Sequence, residues 1–118
     1  MLPPQHRMRR SKDFTDAVRG GARSGSRRLV VHLATARGDD AAAPPRVGLV
    51  VSKAVGNAVE RNLVKRRLRG LLAPRLSDLH EGDNLVVRAL PAARGASSAE
   101  LGGDLDVALA GARRRTSR

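Results

Sequence analysis

The sequence predicts an α+β fold, a two-layer sandwich in which three helices pack on a small mixed β-sheet of about four strands, in the order α-β-β-β-α-β-α. Three observations support this prediction. Short runs of β-branched and aliphatic residues are typical of strands, one long segment repeats its apolar residues at helical spacing, and no repeat or long linker divides the 118 residues. A chain of this length supports one hydrophobic core, so we expect a single domain over residues 1–118.

The N-terminal region combines a basic arm with a short helix. Residues 1–10 contain prolines and arginines and are expected to be extended. Ser11 is placed to cap a helix over residues 12–19, which should end at the glycine pair that follows. Residues 23–25 are compatible with either a loop or a very short strand.

Three further segments are predicted to be strands. Residues 28–36 (RLVVHLATA), 47–51 (VGLVV) and 85–89 (LVVRA) are rich in the residue types that strands favour. Residues 37–45, which end in two prolines, should form a flexible connection, and residues 76–83 a link rich in turns.

The long helix between the second and third of these strands has a start signal and a stop signal. Asn57 can cap it while Glu60 reaches back, which is a capping box with Asn in place of Ser or Thr. Pro74 disfavours helical geometry at the residue before it, so the helix should end near Ala73.

Two faces of this helix differ in chemistry, since successive residues are about 100° apart. The stripe expected to face the core consists of Val64, Leu68, Leu71 and Leu72. The opposite face consists of Asn62, Lys65, Arg66 and Arg69, and Arg61 and Arg67 flank the stripe. Such a cationic face suits a phosphate backbone.

A weaker helix is expected from about residue 97. Its apolar side should carry Leu101, Leu105, Val107, Ala108 and Leu109. The pair Gly102 and Gly103 costs about 2 kcal/mol of helix propensity, so a late start or a kink is expected. Residues 113–118 form a basic tail that should fray and be disordered.

The charge balance indicates the class of partner. Lys and Arg exceed Asp and Glu by 23 to 11, which gives a net charge of +12. Self-repulsion of this size weakens a compact state unless a polyanion relieves it, so we expect a nucleic acid in preference to an anionic membrane. No apolar run approaches the roughly 20 residues of a membrane span, and the N-terminal residues lack the hydrophobic region of a signal peptide. Without cysteine, no disulfide or thiolate metal site is expected, and a cytoplasmic location is the default.

No catalytic set belonging to the protein itself is visible. His6, His32 and His80 have no carboxylate at a recognisable spacing, and no phosphate-binding loop, dinucleotide motif or nucleophile motif occurs. A protein metal site is not expected either. Phe14 is the one aromatic residue, which argues against a sheet that stacks several bases. The main contact with nucleic acid should therefore be electrostatic.

Residues 50–69, VVSKAVGNAVERNLVKRRLR, closely resemble the signature of the bacterial ribonuclease P protein family. That signature has a strand ending in Lys, a Gly-Asn-Ala turn and an Arg-Asn-Arg motif followed by cations at helical spacing. The matching positions are Lys53, Gly56, Asn57, Ala58, Arg61, Asn62, Lys65, Arg66 and Arg69. Residues 7–23, RMRRSKDFTDAVRGGAR, resemble the family's Arg-rich arm and Lys-Asp-Phe helix, and the resemblance covers nearly the whole chain.

The resemblance implies an RNA-binding subunit of an endoribonuclease that removes the 5′ leader of precursor tRNA. The protein would bind ribonuclease P RNA and precursor tRNA, as a monomer in a 1:1 complex with the RNA. The active site and its Mg²⁺ would be held by the RNA, and no catalytic residue by the protein. The resemblance also implies a left-handed βαβ crossover, which is rare.

Two sets of residues are assigned by the same resemblance. The RNA-subunit set is Lys53, Asn57, Arg61, Asn62, Lys65, Arg66, Arg67 and Arg69. The leader set, in a cleft between the first helix and the sheet, is Arg9, Arg10, Lys12, Phe14, Val18, His32 and Arg88.

This chain departs from the family pattern at several of these positions. Leu63 replaces the second Arg of the Arg-Asn-Arg motif, Val18 replaces an aromatic of the first helix, and His32 replaces an aromatic of the first long strand. Where relatives often carry Arg-Lys after the last strand, this chain has Ala89 and Leu90. The leader cleft should therefore be less aromatic and less basic than is usual.

Three other interpretations are compatible with a small basic chain. A ribosomal structural protein that binds rRNA would share the charge, the size and the type of fold. A DNA-binding regulator is less compatible, because no convincing helix-turn-helix occurs. An autonomous nuclease would need catalytic residues that the sequence does not show.

Overall fold

The computed structural model describes residues 2–8, 11–36 and 38–116. Its helices are α1 (Ser11–Gly20), α2 (Ala58–Arg75) and α3 (Ser98–Thr116), and its strands are β1 (Ala22–Gly25), β2 (Leu29–Thr35), β3 (Arg46–Val50) and β4 (Asp83–Ala89). The predicted order of helices and strands is confirmed, and residues 23–25, which the sequence left ambiguous, belong to β1. No helix among the described residues has both the length and the apolar character needed to cross a membrane.

The four strands form one mixed sheet in the order β1-β2-β4-β3. β2 is antiparallel to both of its neighbours, whereas β3 runs parallel to β4. Parallel neighbours need a crossover connection, and α2 provides it.

The crossover from β3 through α2 to β4 is left-handed. The side chain of Val47 in β3 points into the main core, on the face of the sheet that α2 covers. The carbonyl of Val47 accepts a hydrogen bond of 2.9 Å from the Met8 N–H, and it therefore points to the edge of β3 that faces away from β4. When an L-residue is viewed from its side-chain side with the chain running upward, its carbonyl points to the right. β4 therefore lies to the left of β3 under the helix. Such crossovers are right-handed in about 98% of cases, so this feature is distinctive, and it agrees with the resemblance.

The main core lies on one face of the sheet, under α2 and α3. β2 and β4 contribute Leu29, Val31, Leu33, Leu85 and Val87, and the helices contribute Val64, Leu68, Leu72, Leu101, Leu105, Ala108 and Ala112. Burying each larger side chain contributes about 1.5–3 kcal/mol. The apolar stripe predicted for α2 is thereby confirmed, with Leu71 half-buried against it.

α1 lies on the opposite face of the sheet. Ala17 is buried in a small cluster with Val86 and Met8, and Phe14 packs against this cluster. A Cβ at Gly48 would lie 2.5 Å from the Phe14 ring and 3.1 Å from the Met8 sulfur. The ring therefore contacts the backbone of β3 directly, which only glycine at position 48 permits.

α2 ends two residues later than predicted and includes Pro74. The proline lacks the N–H that would bond to the Gly70 carbonyl, but this loss falls in the last turn, and Gly70 is exposed to solvent. The Arg75 guanidinium donates to the Leu71 carbonyl at 2.7 Å, so the helix end gains a partner that the sequence pattern did not indicate.

α3 runs without interruption from Ser98 to Thr116, so the expected late start is wrong and the two glycines do not break the helix. Ser97 and Glu100 form a capping box, with bonds of 3.0 and 3.1 Å, that stabilises the first turn. A Cβ at Gly102 would lie 3.2 Å from Leu71, so α2 and α3 approach closely where the glycine is buried. This packing explains why glycine is tolerated at position 102, whereas a Cβ at the exposed Gly103 would meet nothing within 4 Å.

One residue expected on the apolar side of α3 faces solvent. Val107 is 64% exposed. The buried stripe is Leu101, Leu105, Ala108 and Ala112, and Val107 is about 100° away from Ala108 around the helix axis. Leu109, on the other flank, packs partly against the core as predicted.

The N-terminal arm packs on the domain instead of extending freely. Leu2 is buried in the main core, and Met8 is buried beneath α1. Arg7 pairs with Val47 as a parallel bridge at the edge of the sheet. Two apolar side chains therefore hold this segment, although its composition is basic. Arg9 and Arg10 lie outside the described residues.

α3 continues through the C-terminal arginines as far as Thr116. The expectation that residues 113–116 fray is therefore wrong. Arg113 donates to the Asp83 carboxylate at 2.6 Å, and Arg115 donates to the Arg23 carbonyl. These tertiary contacts hold the last turn. Residues 117–118 of the predicted tail lie outside the described residues.

Asp83 joins three elements of the fold. Its carboxylate is 1% exposed and accepts hydrogen bonds from Thr35 Oγ1 (3.0 Å), the His80 N–H (2.9 Å) and Arg113 (2.6 Å). A buried carboxylate is tolerated only with such partners, so this group fixes where β2, β4 and α3 meet.

We expect Asp83→Asn to lower the free energy of unfolding by about 2–4 kcal/mol, because it removes the charge facing Arg113 and an acceptor of the His80 N–H. Urea denaturation measures this change. The matched control is Asp106→Asn, which breaks the exposed pair between Asp106 of α3 and Arg75 of α2 and should cost less than about 1 kcal/mol. Equal losses would show that Asp83 has no special structural role.

Candidate nucleic-acid interface

The outer side of α2 is a cationic surface, the basic helix face, defined by Asn62, Lys65, Arg66 and Arg69. Lys65 is half-buried, and the other three residues are exposed. Arg66, Asn62 and Arg69 lie on the side away from the buried stripe of Val64, Leu68 and Leu72, as predicted. Lys65 is only about 20° from Leu72 around the helix axis, so it lies beside the stripe and not opposite it. Leu63, at the position where the family has Arg, is half-buried.

The cations of the basic helix face form no ion pair with any described residue. The carboxylates pair elsewhere: Glu100 and Asp104 with Arg28 (2.8 and 3.0 Å), Asp106 with Arg75 (2.7 Å), Glu60 with Arg94 (2.5 Å), Asp83 with Arg113 (2.6 Å) and Asp13 with Arg46 (3.5 Å). Positive charge without an internal counter-charge is what a polyanion can neutralise.

The N-terminus of α2 is held by the predicted capping box. Asn57 Oδ1 accepts from the Glu60 N–H at 2.9 Å, and the Glu60 carboxylate accepts from the Asn57 N–H at 3.0 Å. The Asn57 oxygen is therefore engaged, which leaves its amide nitrogen for a ligand. Lys53 is exposed in the turn that precedes the cap.

Two arginines of the RNA-subunit set are half-buried. Arg67 Nη1 donates to the Ala96 carbonyl at 2.5 Å, which ties α2 to the loop after β4. Arg61 Nε is buried and has no hydrogen-bond partner among the described residues.

A second candidate surface, the open sheet face, carries Phe14, Val18, Arg23, His32 and Arg88. His32 is paired with Arg23 on β1 and with Val86 on β4, and residues paired across strands point to the same side of a sheet. Val86 packs in the small cluster with Ala17 of α1, so this side of the sheet is the one that α1 covers. Val18 of α1 is 41% exposed. The structure thus brings the predicted residues of α1, β2 and β4 together.

Arg23 was missed by the sequence analysis, because its segment was ambiguous between a loop and a strand. Once β1 pairs with β2, Arg23 lies directly opposite His32. Burial lowers the pKa of His32 below its ordinary value of 6.5, and the positive charges of Arg23 and Arg88 lower the pKa further. The imidazole is therefore neutral at pH 7.

Lys12, assigned to the leader set, lies on the other side of α1. It lines a groove of about 810 Å³ together with Asp13, Asp16, Arg46 and Arg115. The groove contains neither Phe14 nor His32, so the structure separates Lys12 from the open sheet face.

A basic α+β domain with a left-handed crossover and a cationic crossover helix defines the class of protein to which this chain belongs. Residues 2–113 match the family model described as Ribonuclease P. The chain belongs to the ribonuclease P protein family.

Curated relatives and solved structures agree with this assignment. The chain is 59% identical to the ribonuclease P protein component of Beutenbergia cavernae over 109 residues, covering 92% of this chain and 89% of that one. It is 54% identical to that of Streptomyces bikiniensis over 114 residues, covering 92% and 93%. The RNase P protein of Staphylococcus aureus superimposes with a TM-score of 0.77 at 27% identity, covering 89% of this chain and 93% of that one. The Thermotoga maritima protein shares the fold, with a TM-score of 0.71 at 23% identity over 92% and 96% of the chains.

Neighbouring arginines of α2 should respond differently to truncation. Arg67→Met removes the bond to the Ala96 carbonyl, so it should lower the free energy of unfolding by about 1–3 kcal/mol. Arg66 is exposed and has no hydrogen-bond partner among the described residues, so Arg66→Met should change the free energy of unfolding by no more than about 0.5 kcal/mol. Chemical denaturation of the two variants tests this, and equal stabilities would mean that the Ala96 bond contributes nothing.

Proposed function

We propose that this chain is the RNA-binding protein subunit of a ribonuclease P holoenzyme in the cytoplasm. It binds the catalytic RNA in a 1:1 complex and holds the 5′ leader of precursor tRNA, thereby assisting endonucleolytic removal of the leader. The observation that carries the proposal is the basic helix face, whose cations have no counter-charge among the described residues.

The basic helix face suits the RNA subunit. Its cations would replace counterions condensed on the RNA, which favours association and makes it sensitive to salt. Because the helix is anchored by a buried stripe and a capping box, the charges are displayed on a rigid element. Shape and charge together would then select a folded RNA.

The open sheet face suits a single-stranded leader. The Phe14 ring offers a surface for one base, Val18 offers an apolar neighbour, and Arg23 and Arg88 offer charge for the backbone. Holding the leader adds a second anchor to the substrate, which raises the effective concentration of the cleavage site at the RNA.

The chemistry would remain with the RNA. The described residues bring together no group of three His, Cys, Asp or Glu side chains able to hold a metal ion, so we assign Mg²⁺ to the RNA subunit. The protein's part is binding and orientation.

Cleavage of precursor tRNA at low Mg²⁺ by the RNase P RNA of a relative, with and without this protein, tests the proposal. The protein should increase the rate, and the triple variant Lys65→Ala, Arg66→Ala, Arg69→Ala should not do so at the same concentration. The slope of log affinity for the RNA against log salt should fall by about 0.7–0.9 for each phosphate that the variant no longer binds.

The matched control removes the same charge elsewhere. Arg19, Arg27 and Arg114 are exposed and lie off the basic helix face, so their replacement by Ala should retain most of the affinity. An equal loss of RNA affinity in the two triple variants would show that the affinity depends on net charge alone and not on the position of the cations. No stimulation of cleavage by the native protein would contradict the proposed function and favour a ribosomal role.

Phe14→Leu keeps an apolar side chain but removes the ring. It should weaken binding of precursor tRNA to the holoenzyme by about 1–3 kcal/mol and leave binding of mature tRNA unchanged, because only the leader stacks on the ring. Met8→Leu is the control, because it alters the packing of the same cluster but leaves the Phe14 ring in place. A similar loss for both tRNAs, or in both variants, would show that Phe14 acts through packing.

A further inference from the structure

The loop between β4 and α3, residues 90–97, places a cation beside the start of α2. Arg94 Nε lies 2.5 Å from Glu60 Oε2, although the Arg94 side chain is 63% exposed. No other described residue pairs with Arg94 or accepts a hydrogen bond from it. A guanidinium carries five N–H donors in one plane, so donors of Arg94 remain for an acceptor outside the chain.

The loop is fixed at the point from which Arg94 projects. Ala93 and Ala96, on either side of it, are buried in the main core. The Arg94 N–H donates to the Pro91 carbonyl at 3.1 Å. The Ala96 carbonyl accepts from Arg67 of α2 at 2.5 Å, which holds the loop against that helix. The backbone of Arg94 therefore has a fixed position relative to α2.

The carboxylate that Arg94 meets is fixed as well. Glu60 Oε1 accepts from the Asn57 N–H at 3.0 Å, as part of the capping box. A Cβ at Gly56 would lie 2.6 Å from the same oxygen, so the carboxylate rests directly on the backbone there. A guanidinium held by an immobile carboxylate is oriented before a ligand arrives, and it loses less side-chain entropy on binding.

Stability does not explain the pair of Arg94 and Glu60. Exposed ion pairs stabilise a fold little, because water screens them and ordering two side chains costs entropy. Glu60 is the sole carboxylate among residues 50–69, the segment that carries the whole RNA-subunit set. Its charge would repel a phosphate bound near Asn57 unless a cation faced it. Arg94 supplies that cation from a different element of the fold.

We propose that Arg94 contacts a phosphate of the RNA subunit and that Glu60 is the positioning residue that orients it. The RNA interface then consists of two elements, α2 and the loop of residues 90–97. This inference rests on the proposed function, because it adds a residue to the same interface. A guanidinium can bind a carboxylate and a phosphate at once through different N–H groups, which the ammonium of a lysine does less well.

The test compares the affinities of Arg94→Met and the native chain for the RNase P RNA of a relative over a range of salt concentrations. The variant should bind about tenfold more weakly, as expected for one charge-assisted contact. The slope of log affinity against log salt should fall by about 0.7–0.9, because one phosphate fewer is bound.

The control is Arg75→Met, which also removes an arginine paired with an exposed carboxylate, but at the C-terminal end of α2. It should retain the native slope and nearly the native affinity. An equal loss in Arg75→Met and Arg94→Met, or a native slope in Arg94→Met, overturns this inference. The proposed function stands in that case if the triple variant of Lys65, Arg66 and Arg69 still loses affinity. Failure of the native chain to bind the RNA contradicts the proposed function itself.

Glu60→Gln distinguishes orientation of Arg94 from mere screening of Glu60. Glutamine keeps an acceptor for the Asn57 N–H, and thus the capping box, but not the charge that holds Arg94. Although a negative charge is lost, the affinity should not rise, because the guanidinium is no longer oriented. Adding Arg94→Met should still lower the salt slope, at a smaller cost in affinity than in the native chain. Tighter binding by Glu60→Gln, with no effect of Arg94→Met in that background, would show that Arg94 only screens Glu60 and would overturn the proposal.

Cross-linking locates the loop on the RNA. The chain has no cysteine, so Ala92→Cys provides a single attachment point for a photoreactive group, exposed in the same loop, with Arg94 intact. This group should cross-link to the RNA subunit. The same group attached through Val107→Cys should not, because Val107 is 64% exposed on α3 beside the acidic Asp106. No RNA product from position 92, or equal products from the two positions, overturns the placement of the loop at the interface.

Discussion

The buried carboxylate of Asp83 is the interaction on which the arrangement of the sheet and α3 depends. Thr35, the His80 N–H and Arg113 all donate to it, so strand β2, the turn before β4 and the end of α3 must meet at one point. A carboxylate without these donors would be too unfavourable to bury. Because the end of α3 is anchored there, its apolar stripe is held over the main core, and Arg115 can reach β1.

The central strands are apolar on both faces, but only one face is fully covered. α2 and α3 close the main core, whereas α1 covers part of the other face, where Phe14 rests on Gly48. The remaining part of that face carries the cluster of Arg23, His32 and Arg88. A partly covered sheet therefore creates a surface where apolar side chains, a neutral imidazole and free cations lie together.

The two candidate surfaces lie on opposite sides of the sheet. The basic helix face belongs to α2, on the side of the main core, and the open sheet face is on the side of α1. In the proposed function, the sheet would separate the catalytic RNA from the leader and fix the distance between them. The left-handed crossover decides on which side α2 lies, so topology sets this geometry as much as charge does.

The sequence by itself determined the local features. The capping box of Asn57, the rotation of α2 and the three long strands were predicted because each depends on neighbours in the chain. Tertiary contacts decided the rest. Arg67 is held by the distant Ala96 carbonyl, Gly102 is tolerated in α3 because Leu71 packs on it, and Arg23 faces His32 only through strand pairing. Periodicity and capping report interactions over a few residues, whereas these contacts join positions far apart in the chain and exist only once the sheet and its helices have assembled.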